Sequence, residues 1–495
     1  MFRNKEIVEI LNKYRNVWAV ESVTALLDWD LETYMPAQGI DGRTEATARI
    51  SLLKQEYILN LKDSIATAKR ERNLNEYELA VLRVLDRDLH YYTSLPPKLI
   101  ESLNHTIPIS NIKWRESREK SDFSIFKPYL ENIIDLTLEK ADHLGYQGTP
   151  YNALLDRYTE ELSVSDLDGI FTVLSAELIK LKNKVISEKY FPSDHPLEHI
   201  KYDQNVMRNV NLQIINLLGM PTERFRFDVS SHPFTTKISP SDVRITTRYE
   251  GVDFRRTIYS TIHECGHAIY SLQQDPALSY TPIVHNDSKD GSTEVGGISE
   301  SQSRFWENVV GKSRSFVNKM FPILRSNLGF ISKYSEEDVF RYVNMVRPSL
   351  IRVDADEITY NLHIILRYNI EKELISGKIN VSELPEVWND MMESMIGLRP
   401  KNDREGVLQD NHWANGMFGY FPTYALGNIV AAMIWSKLSN NIDNMTYSEI
   451  KQWLYENIHR VGKIYPPKDI LTRAFGESFN PEKLIKYLNK KYTNK

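Results

Sequence analysis

The sequence predicts a mainly α-helical protein with one small β-sheet, and three observations carry that prediction. Only 21 of its 495 residues are glycine; helices tolerate few glycines, whereas sheet-rich folds use many in turns. Long stretches repeat apolar residues at steps of three and four, which gathers them on one helix face. Pro36, Pro96, Pro97, Pro150 and Pro192 fall between such stretches, where a missing amide does no harm.

In chain order, segments near residues 3–33, 41–70, 76–94, 124–143 and 164–189 have helical patterning, with no strand alternation, repeat or low-complexity run among the first 190 residues. The pattern changes at Phe225, Phe227 and Val229, and again at Val243, Ile245 and Thr247. Both runs alternate apolar and polar residues and predict a small antiparallel sheet, whose edge could hold an extended peptide by main-chain hydrogen bonds. A ribbon that only supports the next helix is the plainer alternative.

That next helix carries His263-Glu264-Cys265-Gly266-His267. Asp253 is its expected N-cap, and Phe254, Ile258, Ile262, Cys265, Ile269 and Leu272 form its buried stripe. Histidines four residues apart lie one above the other on a helix face, within reach of one divalent metal, and the glutamate beside the first faces the metal's water. The motif implies metal-assisted hydrolysis. Cys265 points into the apolar stripe and is expected to be a core residue; as the sole cysteine it forms no intrachain disulfide.

Two histidines leave a catalytic zinc one protein ligand short. A turn-rich loop, His285 to Gly297, leads to a second predicted helix from about Ser299 to Leu328, and Glu294, Glu300 and Glu307 compete for the third position. Farther on, Ile351 to Asp356 precedes another helix, and Gly406 to Asn428 gathers Gln409, Asp410, His412, Trp413, Tyr420 and Tyr424 in a polar, aromatic stretch of the kind that carries function.

Composition narrows the partners. The formal charge of −5 gives no basic footprint for nucleic acid. The longest apolar run, Ile429 to Trp435, is far too short to span a bilayer, and Met1 to Ile10 has the charged amphipathic pattern of a helix rather than a signal peptide. A cytoplasmic protein without membrane attachment is expected.

Collinear motifs then suggest a family. They are Trp29-Asp30 with Tyr34-Met35-Pro36, His232-Pro233-Phe234, Asp242 to Thr246, the His263 to His267 helix, Glu300-Ser301-Gln302, Ile351-Arg352 with Ala355-Asp356, Gly406 to Trp413, and Ile464 to Pro467. Together they make the chain resemble the M32 metallocarboxypeptidases, the carboxypeptidase Taq type, over nearly its whole length. The resemblance implies one domain over 1–495: a helical lobe at 1–190 and a catalytic core at 191–495, in a zincin-like, saddle-shaped fold with two lobes around a deep groove. It implies a homodimer with zinc or cobalt at the groove floor, removing single residues from peptides with a free C-terminus. His263, His267 and Glu300 would be the ligands and Glu264 the general base. The family relation thus favours Glu300 among the three glutamates.

By likeness to related helical peptidases, His412 with Tyr424 or Tyr420 would stabilise the charge that builds on the carbonyl oxygen. A free carboxylate calls for an arginine fork, with Arg352 favoured and Arg244 second. Two features depart from the family. Ser299 stands where a histidine usual in the family precedes the ligand glutamate, and extra residues fall within His285 to Thr293. Ser299 fits a capping box with Gln302; a lost outer partner would weaken metal affinity or change metal preference. The alternatives are a zinc oligopeptidase or dipeptidyl carboxypeptidase on the same fold, and a catalytically weak peptide-binding relative.

Overall fold

The computed structural model describes residues 1–284, 297–440 and 442–493. Helices α1 (Lys5–Thr33), α2 (Ile40–Leu59), α3 (Lys62–Ala68) and α4 (Glu76–Ser94) come first, then α5 (Pro97–Lys120), α6 (Phe123–Leu144), α7 (Pro150–Asp156), α8 (Val164–Glu188) and α9 (Gln204–Leu217). Side chains start several of them. Asn4 caps α1, and Asn75 with Glu78 and Ser163 with Asp166 form capping boxes at α4 and α8. The span expected at 41–70 divides into α2 and α3. Helix α5 lacked a sequence signal because Pro97 and Pro108 punctuate it; Pro97 takes the first turn, where no amide is needed, and Pro108 is tolerated inside.

Strands β1 (Phe225–Val229), β2 (Thr235–Ser239) and β3 (Asp242–Thr247) form one sheet in the order β1-β3-β2. The sheet is mixed rather than antiparallel. The two runs read from sequence, β1 and β3, pair in parallel from Phe225 with Val243 to Val229 with Thr247, and only β2 runs antiparallel to β3. Alternation alone carries no strand direction. Strand β2, Thr-Thr-Lys-Ile-Ser, lacks clean alternation and was not foreseen; it is an edge strand, and Ser22 of α1 donates to its Ile238 carbonyl at 2.7 Å.

Helix α10 (Phe254–Leu272) follows, then α11 (Ile298–Arg304), a π-helical turn (Phe305–Gly311), α12 (Arg314–Asn327) and α13 (Glu336–Val343). The chain ends through α14 (Thr359–Ile375), α15 (Leu384–Met395), α16 (Pro422–Leu438), α17 (Tyr447–Asn457), α18 (Pro467–Phe475) and α19 (Pro481–Thr493). Asp253 holds the N-cap position of α10 but does not cap it: its backbone is left-handed, and its carboxylate accepts from Tyr342 and Arg255 instead. The helix expected from Ser299 to Leu328 is broken at the π-turn and again before α12.

Two apolar clusters hold the described residues. The smaller joins α1, α3 and α4 to Leu278, Ile283, Val284 and Ile464. The larger runs from Phe123 on α6 to Tyr492 on α19 and surrounds α10, α11 and α16. Helices α6 and α8, within the span read as the first lobe, therefore share a core with the metal-motif helix. No helix among the described residues is long and apolar enough to cross a membrane.

Candidate active site

Helices α10 and α11 touch backbone to backbone at Gly266. A Cβ there would lie 2.6 Å from the Gln302 carbonyl oxygen and the Ser303 Cα, so a side chain at this position would push the two helices apart. Helix α16 closes from the other side, where a Cβ on Gly427 would fall 2.8 Å from Glu300 Cγ. The two glycines let three helices converge on one point, which fixes Glu300 beside the histidines.

There the His267 Nε2 lies 3.4 Å and the His263 Nε2 3.7 Å from Glu300 Oε2. Donors each about 2.0–2.2 Å from a tetrahedral metal stand roughly 3.4 Å apart, so these spacings fit a shared divalent ion, and two imidazoles with one carboxylate fit zinc chemistry. The outward ring nitrogens are engaged. Glu307 Oε2 meets His263 Nδ1 at 2.9 Å, and Ser299 Oγ meets His267 Nδ1 at 3.0 Å. Such partners orient each ring and turn Nε2 inward.

Burial pushes the Glu300 carboxyl up, but Arg304, His263 and His267 more than reverse this and hold it well below the usual carboxylate range. Glu307 is held low in the same way, by Lys312, Arg304 and His263 against its burial. Arg304 donates to Glu300 at 2.7 Å and to Glu307 at 3.3 Å, and its guanidinium lies 4.3 Å from the Tyr360 ring centroid. Ser299 lies inside α11, which begins at Ile298 after Gly297, so it caps nothing and instead holds a histidine. Glu307 is a partner of His263, and Glu294 lies outside the described residues.

Glu264 is buried, and its carboxylate accepts from Thr235 Oγ1 of β2 at 2.6 Å. The same hydroxyl lies 3.1 Å from the Glu264 carbonyl. The edge strand thus orients this side chain. Cys265 is buried in the core, where burial raises its thiol pKa well above the ordinary value.

Arg352, also buried, donates through Nε and Nη2 to Asp410 Oδ1 at 3.1 and 2.8 Å and through Nη1 to Tyr360 at 3.1 Å. Arg367, on α14 and fully buried, reaches Asp410 Oδ2 at 2.7 Å. One carboxylate between two guanidiniums leaves a residual positive charge. His412 Nε2 lies 3.3 Å from the Tyr424 hydroxyl, and the Arg352 guanidinium is 5.1 Å from the Tyr424 ring centroid. Burial, with Arg352 and Arg367 acting against Asp410, lowers the His412 pKa to about 3, so the ring is neutral. Tyr424 stands one turn before Gly427, the residue that touches Glu300, which places both on the α16 face that meets Glu300. The Tyr420 ring packs edge-on against Tyr424, with centroids 5.4 Å apart. Arg244 goes elsewhere: its fork sits on Asp242 at 2.8 Å, and it stacks over Trp29 of α1 at 4.5 Å.

Sequence reasoning missed Thr235, Arg367 and Tyr360. It also missed the outer-partner roles of Ser299, Arg304 and Glu307, although Glu300, Arg304 and Glu307 lie at helical spacing on one face.

The chain also compares closely with known proteins. The family profile described as carboxypeptidase Taq (M32) metallopeptidase matches residues 9–492. The chain is 45% identical to thermostable carboxypeptidase 1 of Pyrococcus furiosus over 99% of both chains, and 36% identical to carboxypeptidase 1 of Bacillus subtilis over 99% of this chain and 98% of that one. Its fold superposes on a Pyrococcus furiosus carboxypeptidase structure, described as apo-Mg, with a TM-score of 0.96, 45% identity and 99% of each chain covered. Against metallocarboxypeptidase 1 of Trypanosoma cruzi the TM-score is 0.93 at 32% identity, covering 99% of this chain and all of the other. This chain belongs to the M32 metallopeptidase family, the carboxypeptidase Taq type.

Proposed function

We propose that the protein is a metallocarboxypeptidase that hydrolyses the C-terminal peptide bond of peptides and releases single amino acids with broad side-chain tolerance. The observation that carries this reading is the convergence of His263, His267 and Glu300 beside Glu264, with a buried arginine pair sharing one carboxylate nearby. Zinc suits two imidazoles and a carboxylate, and cobalt is the alternative ion. When bound, the metal supplies Lewis acidity toward the scissile carbonyl and an acidified water.

The chain's own groups do the rest. Glu264, oriented by Thr235, takes the attacking water's proton and hands it to the leaving amine. The Tyr424 hydroxyl, with His412 behind it and Tyr420 packed beside it, donates to the carbonyl oxygen as charge builds there. Arg352 is the favoured partner for the substrate's free carboxylate, because Asp410 neutralises only part of the Arg352 and Arg367 charge. Arg244 is the second choice, and its ties to Asp242 and Trp29 weigh against it. The substrate is a peptide with a free C-terminus, and the further partner is a second copy of this chain in a homodimer. The setting is the cytoplasm.

The test compares a peptide with its C-terminal amide, using chelator-stripped enzyme reloaded with zinc or cobalt. Single-residue release from the acid alone supports the reading. Internal cleavage of the amide would favour an oligopeptidase, and binding without metal-dependent turnover a silent peptide-binding relative.

A further inference from the structure

The π-turn that carries Glu307 leaves one main-chain carbonyl without its usual donor. The amides of Lys312 and Ser313, four and five residues after Asn308, both turn to the Val310 carbonyl. Donors from α19 take the Asn308 carbonyl instead: the Tyr487 hydroxyl at 3.1 Å and Lys491 Nζ at 3.1 Å. Buried carbonyls need such partners, so α19 supplies what the helix itself does not.

Lys491 does more than fill that gap. Its Nζ lies 2.7 Å from Glu357 Oε2, which also accepts from Tyr492 at 2.8 Å. Glu357 stands just before α14, three residues ahead of Tyr360, the ring that packs on Arg304 and bonds Arg352. One largely buried ammonium thus ties the turn bearing Glu307 to the start of the helix bearing Tyr360. Lys312, within the same charge group, reaches Asn308 Oδ1 at 2.7 Å and Glu307 Oε1 at 3.4 Å.

We propose that α19 is a positioning element for the metal centre: Lys491 clamps the π-turn against the start of α14 and so holds Glu307 on His263. This rests on reading His263, His267 and Glu300 as the ligands. Lys491 touches neither substrate nor metal, so its effect appears in metal affinity before it appears in the chemical step.

The test is competition for zinc between the full-length protein and a chromophoric chelator. Lys491→Met with Glu357→Gln removes the pair without leaving a buried charge alone, and is expected to raise the zinc dissociation constant about 10-fold. Lys491→Arg should recover part of the loss. Leu488→Ala, a buried apolar change on the same helix that leaves both partners of the Lys491 clamp in place, is expected to lower melting temperature and to leave zinc affinity unchanged. An unchanged dissociation constant in the double variant, or an equal rise in Leu488→Ala, overturns the proposal. His263→Ala checks the ligand reading separately, since zinc retained by that variant would remove the metal site itself.

Discussion

Ser299 Oγ lies 3.0 Å from Nδ1 of His267, whose Nε2 faces Glu300 Oε2 at 3.4 Å. A short hydroxyl on α11 therefore orients a histidine on α10. Replacing it by alanine frees the ring to rotate, and Ser299→Ala is expected to weaken zinc binding about 10-fold, read by chelator competition. Equal affinity in the two proteins would mean that helix packing alone holds the ring.

Glu264 is the proton carrier of the proposed mechanism, and Glu264→Gln keeps its shape and its bond from Thr235. The variant should bind one zinc per chain as tightly as wild type while kcat falls about 1000-fold. Matched turnover at full metal loading would remove Glu264 from the chemistry.

In the proposed mechanism Tyr424, with His412 behind it, acts on charge present only in the transition state. Tyr424→Phe should lower kcat about 100- to 1000-fold with KM little changed, and His412→Ala should follow the same direction. An effect confined to KM would instead mark Tyr424 as a substrate contact.

Arg352 and Arg244 are separated by selectivity for the free acid over the amide. Loss of a charged hydrogen bond of about 1.5–3 kcal/mol should cost Arg352→Lys roughly 10- to 100-fold in that ratio. Arg244→Lys should leave the ratio intact. The reverse pattern would transfer carboxylate recognition to the sheet.

Glu371 on α14 gives stability a pH dependence. Its buried carboxylate accepts from Tyr151 at 2.6 Å, Trp413 Nε1 at 2.8 Å and the Gly419 amide at 2.9 Å, which pins the loop bearing His412. Burial outweighs these donors and the nearby Arg367 and raises its pKa from 4.5 to about 7. The folded state thus holds this proton more tightly than the unfolded chain, so the group's contribution is complete below pH 4.5 and is lost as pH rises through about 7. That contribution is on the order of 3 kcal/mol for such a shift. Denaturant titrations across this window should show wild type falling relative to Glu371→Gln; parallel curves would place the titration elsewhere.

The sequence alone was enough for the helical class, the helix of His263, Glu264 and His267, the burial of Cys265 and the family. These are periodic or local features: an i, i+4 spacing fixes a shared face wherever the helix goes, and eight motifs in order need no coordinates. Only the tertiary structure decided the rest. Strand direction in the sheet, the break of the long second helix into α11 and a π-turn, and the role of Ser299 depend on what lies across a gap. So do the contact of Thr235 with Glu264, 29 residues apart, and that of Lys491 with Asn308, 183 residues apart. A polar side chain's role is set by the partner that burial forces on it, and sequence spacing carries no record of that partner.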